Sequence, residues 1–151
     1  MSARQAVPGT VVVPVTDVAA ARQAELVNRA RAELLRSGTA VTLDEMAAAT
    51  GRTRAAVSKA VERHRRAGRL IAVVHDRTTL IPTFQLDDAL ELDPAVSTVV
   101  RRLTGAGMTE WAVWRWATTP NSWLFNETPA DRIAAGDLDA VQRAADGLLQ
   151  S

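Results

Sequence analysis

The fold is decided by a stretch that begins Thr42-Leu-Asp-Glu-Met-Ala-Ala-Ala-Thr-Gly51. Thr42 is followed three residues later by Glu45, which is the spacing of a capping box at a helix start. Gly51 then breaks the helical pattern, because glycine tolerates the left-handed backbone that ends many helices. The stretch therefore predicts a short helix that ends at Thr50.

A second helix is predicted immediately after this break. Thr53 can cap it, the helix spans 54–67, and Gly68 stops it. Two short helices separated by three or four residues, one of them glycine, are typical of a DNA-binding helix-turn-helix.

Two strand-like runs follow, at 69–75 and 79–84, joined by Asp76-Arg-Thr78. They predict a β-hairpin of the kind that forms the wing of a winged helix, with its tip at 75–78. The alternation of side chains in a strand predicts which residues face the helices, and Pro82 predicts that its strand lies at a sheet edge. The inward-facing residues are expected to be Ile71, Val73 and Leu80.

Positive charge is concentrated in the same stretch. Residues 51–84 carry eight basic and two acidic side chains, a net charge of +6, whereas residues 85–151 carry five basic and ten acidic ones, a net charge of −5. Residues 1–50 are neutral, with five of each sign. This asymmetry indicates that the middle segment meets an anion and that the acidic segment does not.

The composition also limits the classes of protein to which the chain can belong. There are no cysteines among the 151 residues, so disulfides and thiolate metal sites are excluded. No apolar run is long enough to span a membrane, and no secretory signal precedes the first helix, so we expect a cytoplasmic protein. His64 and His75 have no clustered carboxylates for acid–base or metal chemistry, so we expect no enzyme, no metal and no cofactor.

The rest of the chain is expected to be helical. An irregular arm at 1–16 precedes a helix that ends at Ser37, and further helices are predicted to begin near Pro94, at Glu110 after a capping Thr109, and near Thr128. The expected fold is mainly α: a winged helix-turn-helix at 17–86, followed by a small helical domain at 87–151.

The predicted second helix of the motif has two faces. Val57, Ala60, Val61 and His64 recur at helical spacing and are expected to face the core. The other side presents basic and short polar residues that suit phosphates and base edges, and the hairpin tip adds two more. An alternative is that this face contacts protein. The candidate DNA-binding residues are Thr53, Arg54, Ser58, Lys59, Arg63, Arg66, Arg77 and Thr78.

All four tryptophans lie between 111 and 123. Trp111 and Trp114 share a helical face and are expected to anchor the core of the C-terminal domain. Trp123, Leu124 and Phe125 form an apolar run in a predicted loop, which suggests a dimer interface or a surface for another protein.

Several segments of the C-terminal part occur in the order typical of a known family. They are Ile81-Pro-Thr-Phe-Gln-Leu-Asp87, Trp114-Arg-Trp116, Pro120-Asn-Ser-Trp-Leu124, Thr128-Pro-Ala-Asp131 and Ala135-Gly-Asp-Leu-Asp-Ala-Val141. Together they resemble the Xre/MbcA/ParS family of antitoxins across residues 81–147.

This resemblance implies an antitoxin that covers the active site of a RES-domain toxin, an enzyme that degrades NAD⁺. It also implies a homodimer that represses its own operon by binding operator DNA. The main alternative is a stand-alone DNA-binding regulator with no toxin, whose C-terminal domain serves dimerisation. The candidate partner-binding residues are Trp116, Asn121, Trp123, Leu124 and Phe125.

Overall fold

The computed structural model of the chain describes residues 15–150. Across them the protein is mainly helical, with seven α-helices and a small three-stranded antiparallel sheet. The chain divides into two compact units between Arg36 and Ser37. The helices are α1 (Val15–Ser37), α2 (Leu43–Thr50), α3 (Arg54–Arg66), α4 (Pro94–Gly105), α5 (Glu110–Thr118), α6 (Pro129–Ala134) and α7 (Leu138–Gln150); the strands are β1 (Ala40–Thr42), β2 (Val73–His75) and β3 (Thr78–Pro82).

The first unit contains α1, the helix predicted before Gly38. It begins at Val15 and ends at Ser37, with Asp17 in its first turn and Arg36 in its last, where each charge opposes the helix dipole. Residues 1–14 of the predicted N-terminal arm lie outside the described residues, so their conformation stays a prediction. The arm was predicted to reach residue 16, which is wrong by two residues because α1 already begins at Val15.

The helix pair at the start of the second unit forms as its caps predict. Thr42 and Glu45 form a complete capping box, with Glu45 N donating to the Thr42 hydroxyl at 3.1 Å and Thr42 N donating to the Glu45 carboxylate at 3.0 Å. Gly51 ends α2 with a φ of 71°. Thr53 then accepts a bond of 3.1 Å from Ala56 N and starts α3.

The inner face of α3 packs into the core of this unit. Val57 and Val61 are buried against Leu43 and Met46 of α2. Ala60 and His64, expected on the same face, are half-buried. The α2–α3 pair is thus held by aliphatic burial, which contributes about 1.5–3 kcal/mol for a fully buried Val, Leu or Met side chain.

The sheet contains a strand that the sequence did not reveal. β1 pairs with β3, and β2 pairs with the other side of β3, so the order is β1-β3-β2. The prediction that Pro82 lies in an edge strand is therefore wrong, since β3 is central. Proline is accommodated because β2 begins only at Val73, opposite Leu80, so no β2 residue lies opposite Pro82, whose other side pairs with Ala40 of β1.

The hairpin has the predicted tip but shorter strands. His75 pairs with Thr78, and the turn consists of Asp76 and Arg77, with φ values of 48° and 64°. Positive φ at both central residues is the backbone of a type I′ turn, which suits the twist of a two-residue hairpin. Ile71 and Val73 are buried as expected, and Leu80 is half-buried.

The segment before β2 is held by a side chain instead of by a strand. The buried side chain of Gln85 accepts from Ile71 N at 3.0 Å and donates to Ile71 O at 2.6 Å. Gln85 belongs to a short 3₁₀ helix at Thr83–Gln85, where the sequence predicted the end of a strand. A glutamine amide offers both a donor and an acceptor, so it satisfies the backbone as a neighbouring strand would.

Helices α4, α5 and α6 begin close to their predicted starts, and α7 follows them. Asp93 caps α4 ahead of Pro94, Thr109 caps α5, and Thr128 caps α6 ahead of Pro129. Their buried residues form an apolar core in which Trp114 is 1% exposed. The aliphatic core members here include Val96, Val99, Val100, Leu103, Val113 and Val141.

The second unit continues across residues 86 and 87, where the sequence suggested a domain boundary. Leu86, Leu90 and Leu92 pack against the core that contains α2 and α3. Thr104 of α4 donates to Gly68 O at 2.8 Å. The division of the chain into an irregular arm, a winged helix-turn-helix domain and a C-terminal helical domain stays a prediction.

Candidate nucleic-acid interface

The outer face of α3 brings five of the candidate residues, together with Ala55, onto one exposed surface. It lies opposite the buried Val57 and Val61. The N-terminal half of this face has small side chains, Ala55 and Ser58, and the C-terminal half is basic. The exposed residues are Arg54, Ala55, Ser58, Lys59, Arg63 and Arg66.

The ion pairs divide these cations into engaged and available ones. Arg54 lies 3.0 Å from Asp44, and Arg66 lies 3.5 Å from Glu62. Both ion pairs are exposed and contribute little to the stability of the folded protein. Lys59 and Arg63 have no acidic partner among residues 15–150. Thr53 uses its hydroxyl oxygen as the α3 cap, which leaves its proton available to a phosphate.

Arg77 and Thr78 lie on a different element, at the exposed tip of the β2–β3 hairpin. Arg77 has no acidic partner in the part of the chain that the structure describes. Its φ of 64° is unusual for a residue with a side chain, and glycine would adopt it at lower cost. The turn therefore carries a cation at a position where local conformation favours glycine.

Arg69 was not among the predicted site residues. It follows α3 and lines a hollow of about 540 Å³ together with Lys59, Glu62, Arg63, Arg66 and Ala67, here called the cationic hollow. The sequence assigned Arg69 to a strand, and the position of its side chain beside α3 depends on the turn at Gly68.

Arg65, the remaining arginine of α3, is engaged by an acidic residue of α5. It forms two bonds with the Glu110 carboxylate of α5, at 2.6 and 2.8 Å. The same carboxylate accepts from Ala72 N at 2.8 Å. The hydrogen bond to Glu110 raises the pKa of Arg65 above its ordinary value. Arg65 therefore joins α3 to α5.

His64 lies beside the cationic hollow and has no metal-binding surroundings. Burial, then the positive charges of Arg69 and Arg63, lower its pKa below the ordinary 6.5. Its Nδ1 is buried without a hydrogen-bond partner. Within residues 15–150, no group of three or more His, Cys, Asp or Glu side chains is arranged to hold a metal ion.

The acidic C-terminal part carries a second exposed surface, which we call the aromatic tip: Trp123 and Phe125 on the loop 121–127. Trp123 is 62% exposed and Phe125 is 94% exposed. Phe125 and Asn126 have φ values of 54° and 66°, so a large aromatic residue occupies the left-handed region. Such a conformation costs on the order of 1–2 kcal/mol, and large exposed apolar residues often mark interaction surfaces.

Internal bonds hold the loop of the aromatic tip. Asn121 N donates to Glu127 O at 3.0 Å, and Glu127 N donates to Leu124 O at 3.0 Å. Asn121 also accepts from Trp123 N through its side chain at 2.9 Å. The indole of Trp123 rests on Gly147 of α7, where a Cβ would lie only 2.5 Å from the ring. The two aromatic side chains are therefore presented by a fixed backbone.

The other candidate partner-binding residues do not share that surface. Leu124 is 3% exposed and belongs to the core, so it anchors the loop. Trp116 and Asn121 are half-buried and line a separate hollow of about 440 Å³. The Trp116 indole nitrogen is buried without a hydrogen-bond partner. Trp111 is half-buried and contacts the buried Trp114, with ring centroids 5.8 Å apart.

Charged groups beside the aromatic tip are balanced. Arg132 bonds both Glu127, at 3.0 Å, and Asp137, at 2.6 Å. The hydrogen bond from Arg132 lowers the pKa of Asp137 below its ordinary value. These residues and Arg143 line a small hollow of about 190 Å³ that also includes Trp123 and Phe125.

Comparison with solved structures shows a similar fold in the NMR structure of Rv2175c. The two chains superpose with a TM-score of 0.62 at 22% sequence identity, over 75% of this chain and 82% of that one. At this identity the likeness concerns the fold alone. No family model matches the chain, and no curated protein matches it. No helix within residues 15–150 combines the length and apolarity that a membrane span requires.

Proposed function

We propose that the protein is a DNA-binding regulator that uses a winged helix-turn-helix to bind double-stranded DNA. In this proposal α2 and α3 are the helix-turn-helix, α3 is the recognition helix, and the β2–β3 hairpin is the wing. One observation carries it: Lys59 and Arg63 lie on the exposed face of α3 with no acidic partner among the described residues.

The arrangement of α3 suits a major groove. Ala55 and Ser58 are small, so the N-terminal half of the helix can approach base edges closely. Lys59, Arg63 and the hairpin's Arg77 can neutralise phosphates on the flanking backbone. Binding of these cations to phosphate carries little free-energy cost within the protein, because no existing ion pair has to be broken.

A titration of the full chain with duplex DNA tests this function. We expect log K to fall linearly as log salt concentration rises, and we expect amide NMR shifts confined to 53–69 and 76–78. The matched control is Arg143→Ala, which removes an exposed arginine in the acidic part of the chain. Absence of binding at low salt, or shifts confined to the C-terminal part, would contradict the proposal and favour a protein-binding role for α3.

A second candidate function is an antitoxin role in the same protein, and the aromatic tip favours it. Trp123 and Phe125 are exposed beside a balanced set of charges, in a part of the chain whose net charge opposes DNA binding. The proposed partner is a RES-type toxin, as the sequence resemblance implies. Both exposed residues are of types that bind protein partners, and tryptophan above all is enriched among those that contribute most.

The antitoxin role is tested by co-expressing the chain with the product of the adjacent gene. We expect a stable complex, restored growth of cells that the neighbour arrests, and loss of both with Phe125→Gly. A neighbour that causes no arrest and forms no complex would contradict the antitoxin role and leave DNA binding untouched.

A further inference from the structure

The geometry points to a phosphate-binding subsite in the cationic hollow. In this subsite Arg69 is the main residue that binds one phosphodiester of the DNA backbone. This inference rests on the proposed DNA binding and extends it. It names the chemical group that is bound and the end of α3 at which it is held.

The backbone turn after α3 fixes the position of Arg69. Gly68 has a φ of 73°, Gly68 N donates to Arg65 O at 2.9 Å, and Arg69 N donates to His64 O at 2.9 Å. These two bonds and the left-handed glycine form a Schellman motif. Thr104 adds a bond to Gly68 O at 2.8 Å, and a Cβ on Gly68 would meet the Thr104 hydroxyl at 2.8 Å. The backbone turn from which the Arg69 side chain extends is therefore rigid.

The guanidinium of Arg69 lacks the partner that such a group normally has. Its Nε is buried, yet it makes no hydrogen bond, and the side chain has no acidic partner among residues 15–150. Buried polar atoms are nearly always hydrogen-bonded, so an exception needs an explanation. A phosphate in the hollow that Arg69 lines offers the guanidinium an anionic acceptor, because the planar arginine fork suits phosphate oxygens.

The surroundings of Arg69 favour an anion. Four cationic side chains and one carboxylate line the hollow. The carboxylate, Glu62, already lies 3.5 Å from Arg66 and 3.7 Å from Arg65. Lys59 and Arg63 remain available, and the pKa of His64 is lowered by burial first and then by the positive charges of Arg69 and Arg63.

The location of the hollow assigns a polarity to the docked helix. The hollow lies at the C-terminal half of α3, whereas the small residues Ala55 and Ser58 lie at the N-terminal half. A backbone phosphate held at the first end places the second end toward the base edges. The subsite therefore contributes affinity that is independent of sequence, and it orients the residues that read sequence.

The first test compares full chains that carry Arg69→Ala or the control Arg143→Ala. Arg69→Ala is expected to lower the slope of log K against log salt by about 0.9, equally for unrelated duplexes, whereas Arg143→Ala leaves it unchanged. Circular dichroism checks that both variants keep their helix content. A slope for Arg69→Ala equal to that of the unmodified chain overturns the subsite while DNA binding itself stands.

The second test uses inorganic phosphate alone and does not depend on DNA binding. In the unmodified chain we expect phosphate to shift the Arg69 Nε resonance and to raise the pKa of His64, because a bound anion offsets the nearby positive charge. Arg69→Ala has no Nε to observe, and in that variant the effect of phosphate on the pKa of His64 is expected to disappear. If the chain binds no DNA but shows these shifts, the proposed function fails and the anion site stands. If phosphate moves neither resonance, the subsite is overturned.

Discussion

The hairpin tip, Asp76 and Arg77, and the aromatic tip share a backbone feature but differ in chemistry. Each loop has two consecutive non-glycine residues with positive φ, and together they hold four of the five such residues found among residues 15–150. The hairpin tip presents a cation in the basic part of the chain. The aromatic tip presents Phe125 in the acidic part.

The difference between the two tips supports the partner that we propose for each surface. At both, a side chain occupies a position where glycine would be less strained, so local stability does not explain its presence. A cation at an exposed turn suits a phosphate, and a fully exposed ring suits an apolar partner surface. The same conformational cost at both tips therefore supports the two proposed partners, DNA at the hairpin tip and protein at the aromatic tip.

The largest expected effect tests the basic side of this comparison. Replacing Lys59 and Arg63 by alanine removes two available cations, so the slope of log K against log salt should fall by about 1.8 and binding should weaken on all sequences. Fluorescence anisotropy across a salt series measures this. Unchanged affinity and slope in the double variant would remove α3 from the DNA interface.

A second prediction addresses the contact that joins the basic and acidic parts. Glu110→Ala leaves Arg65 and Ala72 N without their acceptor, so we expect the free energy of unfolding to fall by about 1–2 kcal/mol. Glu91→Ala, which breaks the exposed pair with Arg52 at 3.0 Å, is the control and should cost less than about 0.5 kcal/mol. Equal losses in urea denaturation would show that the Glu110 bridge is no stronger than a surface pair.

The aromatic tip is tested by Trp123→Ala. The indole rests on Gly147 but is mostly exposed, so the change in unfolding free energy should be about 1 kcal/mol or less. Association with the product of the adjacent gene should weaken by up to a few kcal/mol, while DNA affinity is kept. A loss of helical signal in circular dichroism would instead make Trp123 a core residue.

The two tips are compared most directly by replacing the strained side chain at each tip with glycine. Arg77→Gly and Phe125→Gly should each raise the free energy of unfolding by about 0.5–1 kcal/mol, because the left-handed backbone then carries no Cβ. Arg77→Gly should weaken DNA binding alone, and Phe125→Gly should weaken protein association alone. Thermal melts and the two binding assays measure these effects; loss of the same function in both variants would contradict the assignment.

The smallest expected effect concerns His64. Its pKa in the folded chain lies below the ordinary 6.5, so unfolding takes up a proton below that pH, and stability should decrease as the pH falls through this range. His64→Gln should remove part of this decrease. Denaturation curves above and below the ordinary pKa test it, and an identical pH dependence in the variant would exclude His64 as its source.

The sequence predicted those features that depend on near neighbours. Helix starts at Thr53, Thr109 and Thr128 were predictable because a cap is local chemistry between residues two or three positions apart. β1 was missed because three residues carry too little pattern, and its pairing with β3 joins residues about forty positions apart. Pro82 was placed wrongly because the edge rule concerns the direction of a missing N–H, which only the register reveals.

The candidate site was predictable to the same degree. The exposed face of α3 followed from helical spacing, whereas the availability of each cation depended on partners distant in sequence. Arg65 is engaged by Glu110, and Arg69 lacks any acidic partner in the described part of the chain. Leu124 appeared exposed in a loop but is buried, because the loop folds back on its own bonds.

The Glu110 carboxylate has a consequence for how this protein can be recombined in evolution. A helix-turn-helix that is complete in itself can be fused to unrelated sequences and keep its structure. Here Arg65 and Ala72 N share an acceptor that the chain supplies only at residue 110, and Gln85 supports Ile71 from beyond the hairpin. A fragment ending before α5 would lose the acceptor of its own DNA-facing helix. The proposed DNA-binding part therefore depends for its structure on the helices that follow it, and we do not expect it to be transferable as a separate module.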